Sequence, residues 1–127
     1  MSTRKKSYVL TKIAERDFRE AKQRSLARWG AKQTKLYFQQ IHNSAEYIAK
    51  HQPAISRRDD LTDDEDLGAY PVGEHYIVYA LIDYSQIAIV ALIRQTRDVP
   101  AILQANSFRI RRALDVALKP LKKTRRR

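Results

Sequence analysis

From Ile87 to Ile93 the chain reads "IAIVALI", apolar at every position. The run is far below the ~20 apolar residues that span a membrane. Turn-forming residues bound it, with "DYSQ" (Asp83 to Gln86) before it and Pro100 shortly after. A short, largely β-branched run with such limits reads as a central strand buried on both faces. Such a strand must be covered, so the remaining sequence has to supply neighbouring strands and packed helices. At 127 residues the chain is read as a single domain, 1–127. A chain of this size can hide about two thirds of its unfolded surface.

The covering elements lie on both sides of the run. "SYVLT" (Ser7 to Thr11) is β-branched and aromatic and reads as a short strand. Thr11 then stands where a helix N-cap is preferred. Ile13, Ala14, Phe18, Ala21 and Ser25 follow helical spacing from Lys12 to Arg28. Gly30 fits a helix C-terminal position. A second helix is expected from Ala31 to His51, with a stripe of Tyr37, Ile41, Ala45 and Ile48. Pro53 stops it. The pair forms an αα-hairpin. Trp29 at the joint is expected to pack between the two helices, an exposed binding aromatic being the alternative. Downstream, a short strand or turn near Tyr70 and an alternating strand from His75 precede the apolar run. One further helix is expected over "AILQANSFRIRRALDVAL", closed by Pro120, and "LKKTRRR" reads as a disordered basic tail. The fold class is therefore α+β with two layers: an N-terminal strand, the αα-hairpin, an antiparallel sheet meander and a C-terminal helix.

Charge is distributed in blocks. The formal net charge is +11. Residues 1–58 carry a balance of +10, residues 59–83 one of −8, and residues 84–127 one of +9. Six of the eight residues from Asp59 to Asp66 are acidic, and no Lys or Arg occurs between Asp59 and Asp83. Basic regions flanking an acidic one suggest a negatively charged partner, either nucleic acid or an acidic protein. The plain alternative for "DDLTDDED" is a solvated loop that pairs with the basic helices. It lacks the glycine and terminal glutamate of an EF-hand, so no calcium site is expected. With no cysteine, a disulfide framework, a thiolate metal site and a Cys nucleophile are excluded. His42 and Glu46 stand four apart on the second helix, but two ligands make a fortuitous pair more readily than a metal site. No metal or cofactor is expected. "MSTRKKSYVL" has basic residues without an apolar segment after them, so the expectation is a soluble cytoplasmic protein with no membrane association.

Four sequence words, in this order, resemble the RelE/ParE superfamily of bacterial toxins. They are "YVLT..A..D" (Tyr8 to Asp17), "WG..Q...Y" (Trp29 to Tyr37), "H.IVY" (His75 to Tyr79) and "I.I..LIRQ..DVP" (Ile87 to Pro100). They define a core of about residues 7–103, leaving a helix and tail of about 104–127 outside the resemblance. "GEHYIVY" and "RQTRDVP" are more similar to the ParE branch. The resemblance implies the toxin of a type II toxin–antitoxin pair, held as a hetero-oligomer by a cognate acidic antitoxin. In the superfamily, RelE-like members cleave mRNA in the ribosomal A site and ParE-like members inhibit DNA gyrase.

The residues of this chain bear on that choice. Cleavage by a 2′-hydroxyl needs a proton acceptor, a proton donor and cations at the phosphorus. RelE-like toxins resemble one another in supplying these from Lys and Arg on the middle strands. Here residues 68–93 hold neither. His75, Tyr76, Tyr79 and Tyr84 are the remaining candidates, and a lone strand histidine is more often a packed one. The expectation is thus a non-enzymatic gyrase inhibitor. The alternatives are a ribosome-dependent mRNase or, on charge alone, a basic nucleic-acid-binding module. Candidate target contacts are Arg94, Arg97, Phe108, Arg109, Arg111 and Arg112. Candidate antitoxin contacts are Lys12, Arg16, Arg19, Lys22 and Lys35, with Trp29 and Tyr37 as the apolar floor of a groove.

Overall fold

A computed structural model describes residues 7–52, 55, 58–83 and 85–125, with residues 120–125 described for the backbone alone. The candidate Tyr84 lies outside the described residues. The elements run β1 (Tyr8–Leu10), α1 (Lys12–His51), β2 (Leu67–Val72), β3 (His75–Asp83), β4 (Gln86–Arg94), α2 (Val99–Ala105) and α3 (Ser107–Arg125).

The helical hairpin forms as expected. Thr11 caps α1, its hydroxyl accepting from the Ala14 amide at 3.2 Å. Gly30 breaks α1 into two arms with φ 88° and ψ 176°, a conformation essentially reserved for glycine. The arms fold back on each other: Phe18 meets Phe38 edge-on at 6.0 Å, and the Ser25 and Thr34 hydroxyls are 2.8 Å apart in the interior. Ala14, Ala21, Ser25, Ile41, Ala45 and Ile48 are buried along the expected stripes.

The sheet order is β1-β4-β3-β2. β2, β3 and β4 form the antiparallel meander, and β1 adds to β4 in parallel through Tyr8↔Ile87 and Leu10↔Ile89. Pro71 lies in β2, an edge strand, where a missing donor is tolerated. β4 is buried along Gln86 to Ile93, as a central strand should be.

Its two faces serve two clusters. Ile87, Ile89 and Leu92 join the cluster that includes the α1 stripe, while Ala88, Val90, Ala91 and Ile93 join one with Val99, Leu103, Ile110 and Leu114 of α2 and α3. The hairpin and sheet make the expected two layers, and α2 and α3 cover the opposite face as well. The segment outside the family resemblance thus contributes to the core.

Two boundaries differ from the sequence reading. The C-terminal helix is two helices, because Asn106 ends α2 with its side-chain amide donating to the Ile102 carbonyl at 2.8 Å. α3 continues past Pro120 to Arg125, where a stop and a disordered tail are the sequence expectation. Proline inside a helix costs about 3 kcal/mol. Lys119, Lys122, Lys123 and Arg125 around it are strong helix formers that offset part of this. Among the described residues no helix is long and apolar enough to cross a membrane.

Candidate functional site

The candidate residues fall into separate groups rather than one centre. The first group is a hydrogen-bond hub at the β2–β3 turn. Gly73 turns the chain with φ 53°, and its missing side chain admits the Tyr37 ring. The Tyr37 hydroxyl donates to the Val72 carbonyl at 3.0 Å and accepts from the Glu74 amide at 3.0 Å. It also lies 2.7 Å from His75 Nδ1. With its one proton on the Val72 carbonyl, the last contact is made by Nδ1–H of His75 donating to the hydroxyl. His75 Nε2 is then a lone-pair atom, buried and without a partner. Burial, together with the Arg24 and Arg94 charges, holds the imidazole below its ordinary value, although Glu74 pulls the other way.

The Tyr37 hydroxyl, on a ring expected at a groove floor, is thus bound into the fold, and the ring is half-buried. Tyr79 is buried against Gly68, where an added Cβ would meet the ring at 2.5 Å. Tyr76 lies under the Arg58 guanidinium at 5.4 Å. Tyr76 and Tyr79 are therefore engaged away from His75, and the tyrosine that meets it is Tyr37.

The second group answers why a basic chain carries an acidic block. Asp64 and Asp66 receive Arg111 of α3, at 2.8 and 3.1 Å. Within the block, Thr62 and Asp64 accept from the Asp64 and Asp66 amides and shape the loop, while Leu61 is buried in the core. Arg58 grips Asp60 through two hydrogen bonds, at 3.0 and 2.9 Å. The loop is thus a dock for α3, and Arg111, a candidate target contact, is occupied by it. Half-exposed ion pairs of this kind contribute about 0–1 kcal/mol each. Arg111→Ala should therefore lower stability by about 1 kcal/mol. Arg111→Glu should lower it further by facing Asp64 and Asp66 with a like charge. The gap between the two variants should narrow in 1 M salt, where screening acts within about 3 Å. Urea denaturation at two salt concentrations measures it, and equal midpoints for the two variants at low salt would refute the dock.

The rest of the α3 candidates point outward. Phe108 is 72% exposed, with the Arg112 guanidinium 5.8 Å from its ring, and Arg109 is exposed beside it. Arg94 is half-buried and Arg97 exposed, and both line a cleft that no α3 residue lines.

On the hairpin, Lys12, Arg16, Arg19, Lys22 and Lys35 are all exposed. Trp29 does not pack between the two arms. It is 43% exposed at the bend, with Arg28 stacked 4.6 Å from its ring. The positive-φ Gly30 carries the preceding side chain out of the interface, which the small Ser25–Thr34 pair fills instead. Leu26 and Leu36 are also exposed on the two arms near the bend. His42 is tied into the fold, with Nδ1 2.7 Å from the Tyr8 hydroxyl and Nε2 3.4 Å from Glu46. Among the described residues no three or more potential ligands gather for a metal ion.

Known proteins resemble this arrangement at two levels. No curated protein matches the sequence. A solved chain from the chromosomal ParDE TA system of P. aeruginosa superposes with a TM-score of 0.58 at 11% identity, covering 68% of this chain and 92% of that one. At that identity the likeness is one of fold. The family model for the ParE toxin of the type II toxin-antitoxin system, parDE, matches residues 8–99, from the first residue of β1 to the start of α2. That match spans most of the chain, and this protein belongs to the ParE toxin family of type II toxin–antitoxin systems.

Proposed function

We propose that the chain acts as a toxin by binding and inhibiting DNA gyrase in the cytoplasm, without catalytic chemistry of its own. In this reading a cognate acidic antitoxin neutralises it in a hetero-oligomer. The carrying observation is the cation-free middle of the sheet: β2 and β3 contain no Lys or Arg. Their tyrosines are committed to packing, and His75 is held at the β2–β3 turn through Nδ1. A phosphoryl-transfer site needs cations where charge develops, and these strands offer none.

Target contact is assigned to the outward side of α3, through Phe108, Arg109 and Arg112. The antitoxin is assigned to the hairpin, where exposed Trp29, Leu26 and Leu36 supply apolar anchors. Lys12, Arg16, Arg19, Lys22 and Lys35 supply the charge that an acidic segment would meet. Buried aromatic and aliphatic anchors contribute most of the affinity at such an interface, and charge mainly speeds encounter.

The test uses purified protein in two assays. Gyrase-dependent DNA cleavage complexes are expected from supercoiled DNA, gyrase and ATP. Codon-phased cleavage of mRNA on translating ribosomes, with no effect on gyrase, would overturn the proposal in favour of the RNase reading.

A further inference from the structure

The guanidinium groups of the described residues divide into two sets. Arg28, Arg58 and Arg111 each face a carboxylate: Glu74, Asp60, and the Asp64–Asp66 pair. Arg16, Arg19, Arg24, Arg94, Arg97, Arg109 and Arg112 do not, since no ion pair ties any of them to a carboxylate among the described residues, and of these Arg24, Arg94 and Arg97 stand together. These three come from α1, the end of β4 and the turn after it, yet they line one cleft of about 190 Å³.

Asp17 and Glu20 line the same cleft, so the lack of pairing is not for want of acids nearby. Asp17 is held elsewhere, its carboxylate accepting from the Leu92 amide at 3.0 Å on the edge of β4 beyond β1. Burial raises its proton affinity, while the Leu92 amide opposes this. His75 also lines the cleft. It is only 6% exposed, and its Nε2 lone pair, without a partner among the described residues, can accept a hydrogen bond from the hydroxyl of a protonated phosphate.

We propose that this cleft, walled by Arg24, Arg94 and Arg97, is a binding site for a single phosphate group. The guanidinium fork matches phosphate oxygens geometrically, and charge-assisted hydrogen bonds of this type are about twice as strong as neutral ones. Size limits the ligand. Pockets for drug-sized molecules run to roughly 300–1,000 Å³, so this cleft takes the charged group and leaves any base or sugar outside. The phosphate can belong to a nucleic-acid backbone or to a free or terminal monoester; the site recognises the chemistry they share. The inference stands apart from the gyrase reading, because a chain that left gyrase untouched would still bind phosphate here.

The experiment is a titration of the full chain with inorganic phosphate at constant ionic strength, chloride being the replaced anion. Arginine side-chain and histidine NMR signals report occupancy. Saturable shifts are expected at Arg24, Arg94, Arg97 and His75. Arg24→Gln and Arg97→Gln should each weaken binding roughly tenfold, as expected for one lost charge-assisted contact. A Lys50→Gln/Lys119→Gln variant, at exposed positions outside the cleft, should bind as the parent does. Arg24 and Arg97 are exposed, so their variants should fold, and unchanged circular dichroism confirms it.

Competition assigns the source. A trinucleotide without terminal phosphates that displaces phosphate identifies a backbone diester, whereas displacement only by the 5′-phosphorylated form identifies a monoester. Shifts that rise linearly with phosphate without saturating, equal affinity in the Arg24 and Arg97 variants, or equal loss in the Lys50/Lys119 variant would each overturn the proposal.

Discussion

Ile89→Ala should lower the unfolding free energy by about 2–5 kcal/mol, the range for emptying a well-packed aliphatic site. That is a large part of the roughly 5–15 kcal/mol available to a domain. Ile89 is fully buried and stands where three elements meet. It is paired with Leu10 of β1 and Tyr79 of β3, and its carbonyl accepts from the Thr11 amide that opens α1, at 3.1 Å. Its side chain belongs to the cluster that includes Ala14, Ile41, Ala45 and Ile48 from both arms of the hairpin. Those arms touch the sheet largely through alanines and isoleucines, with little freedom to collapse into a void. Val116→Ala on the exposed side of α3 is the control, expected within about 0.5 kcal/mol of the parent. Denaturant midpoints at equal slope measure both. A loss under about 1 kcal/mol at Ile89 would show that β4 is not the clamped centre of the sheet.

The same strand shows how much of the fold the sequence reveals. "IAIVALI" announces a central strand because nothing in it is polar. For that same reason it conceals which residue faces which layer. β3 and β4 shift register between the pairs Val78↔Ala91 and Tyr79↔Ile89, leaving Val90 as the extra residue. After this bulge, Val90 and Ala91 both join the α2–α3 side, and Leu92 returns to the α1 side. A bulge leaves its mark on alternation, and an all-apolar run has no alternation to disturb.

The hairpin was legible because Thr11, Gly30 and the apolar stripes each act locally, as cap, breaker and period. The second covering layer was less so. The pattern around Ile110 and Leu114 shows an amphipathic helix but not the surface it meets. The break at Asn106 rests on one side-chain hydrogen bond that many sequences could make or omit.

The candidate site was legible in part and for similar reasons. The acidic block stood out through charge, but its match to Arg111 lies 45 to 47 residues away in sequence. No local pattern signals a pairing at that range. A large aromatic at a helical joint normally buries, but the positive-φ conformation of Gly30 directs Trp29 outward. Arg94 and Arg97 carried a visible signal as a basic pair at a strand end. Arg24, their partner in the cleft, carried none, since it is one of many cations on the first arm.

Tyr37→Ala should cost about 3 kcal/mol or more, toward the lower end for a large aromatic because the ring is only half-buried. Tyr37→Phe separates the two contributions. It keeps the ring against Phe38 and Gly73 and removes only the hydroxyl. What remains is an unanswered Nδ1 on a buried histidine, a cost of about 1–3 kcal/mol. The exposed Glu74 amide can turn to water instead.

The hub also sets a pH dependence with a definite sign. Burial keeps the folded His75 imidazole below the ordinary value of 6.5, so the unfolded chain takes up a proton that the folded chain refuses. Stability is therefore full above about pH 6.5 and falls as the pH drops from there toward the folded value. Below that value this contribution levels off. Asp17, raised by burial, contributes the opposite slope, starting from the ordinary carboxylate range.

Comparing the parent with His75→Gln cancels the Asp17 part, as far as the two contributions are additive. Parallel urea titrations from pH 7.5 to about 5 should then show a difference that shrinks steadily on the acid side. A difference that stays constant across that range would mean that His75 titrates alike in both states, and that the Tyr37 hub holds no imidazole neutral.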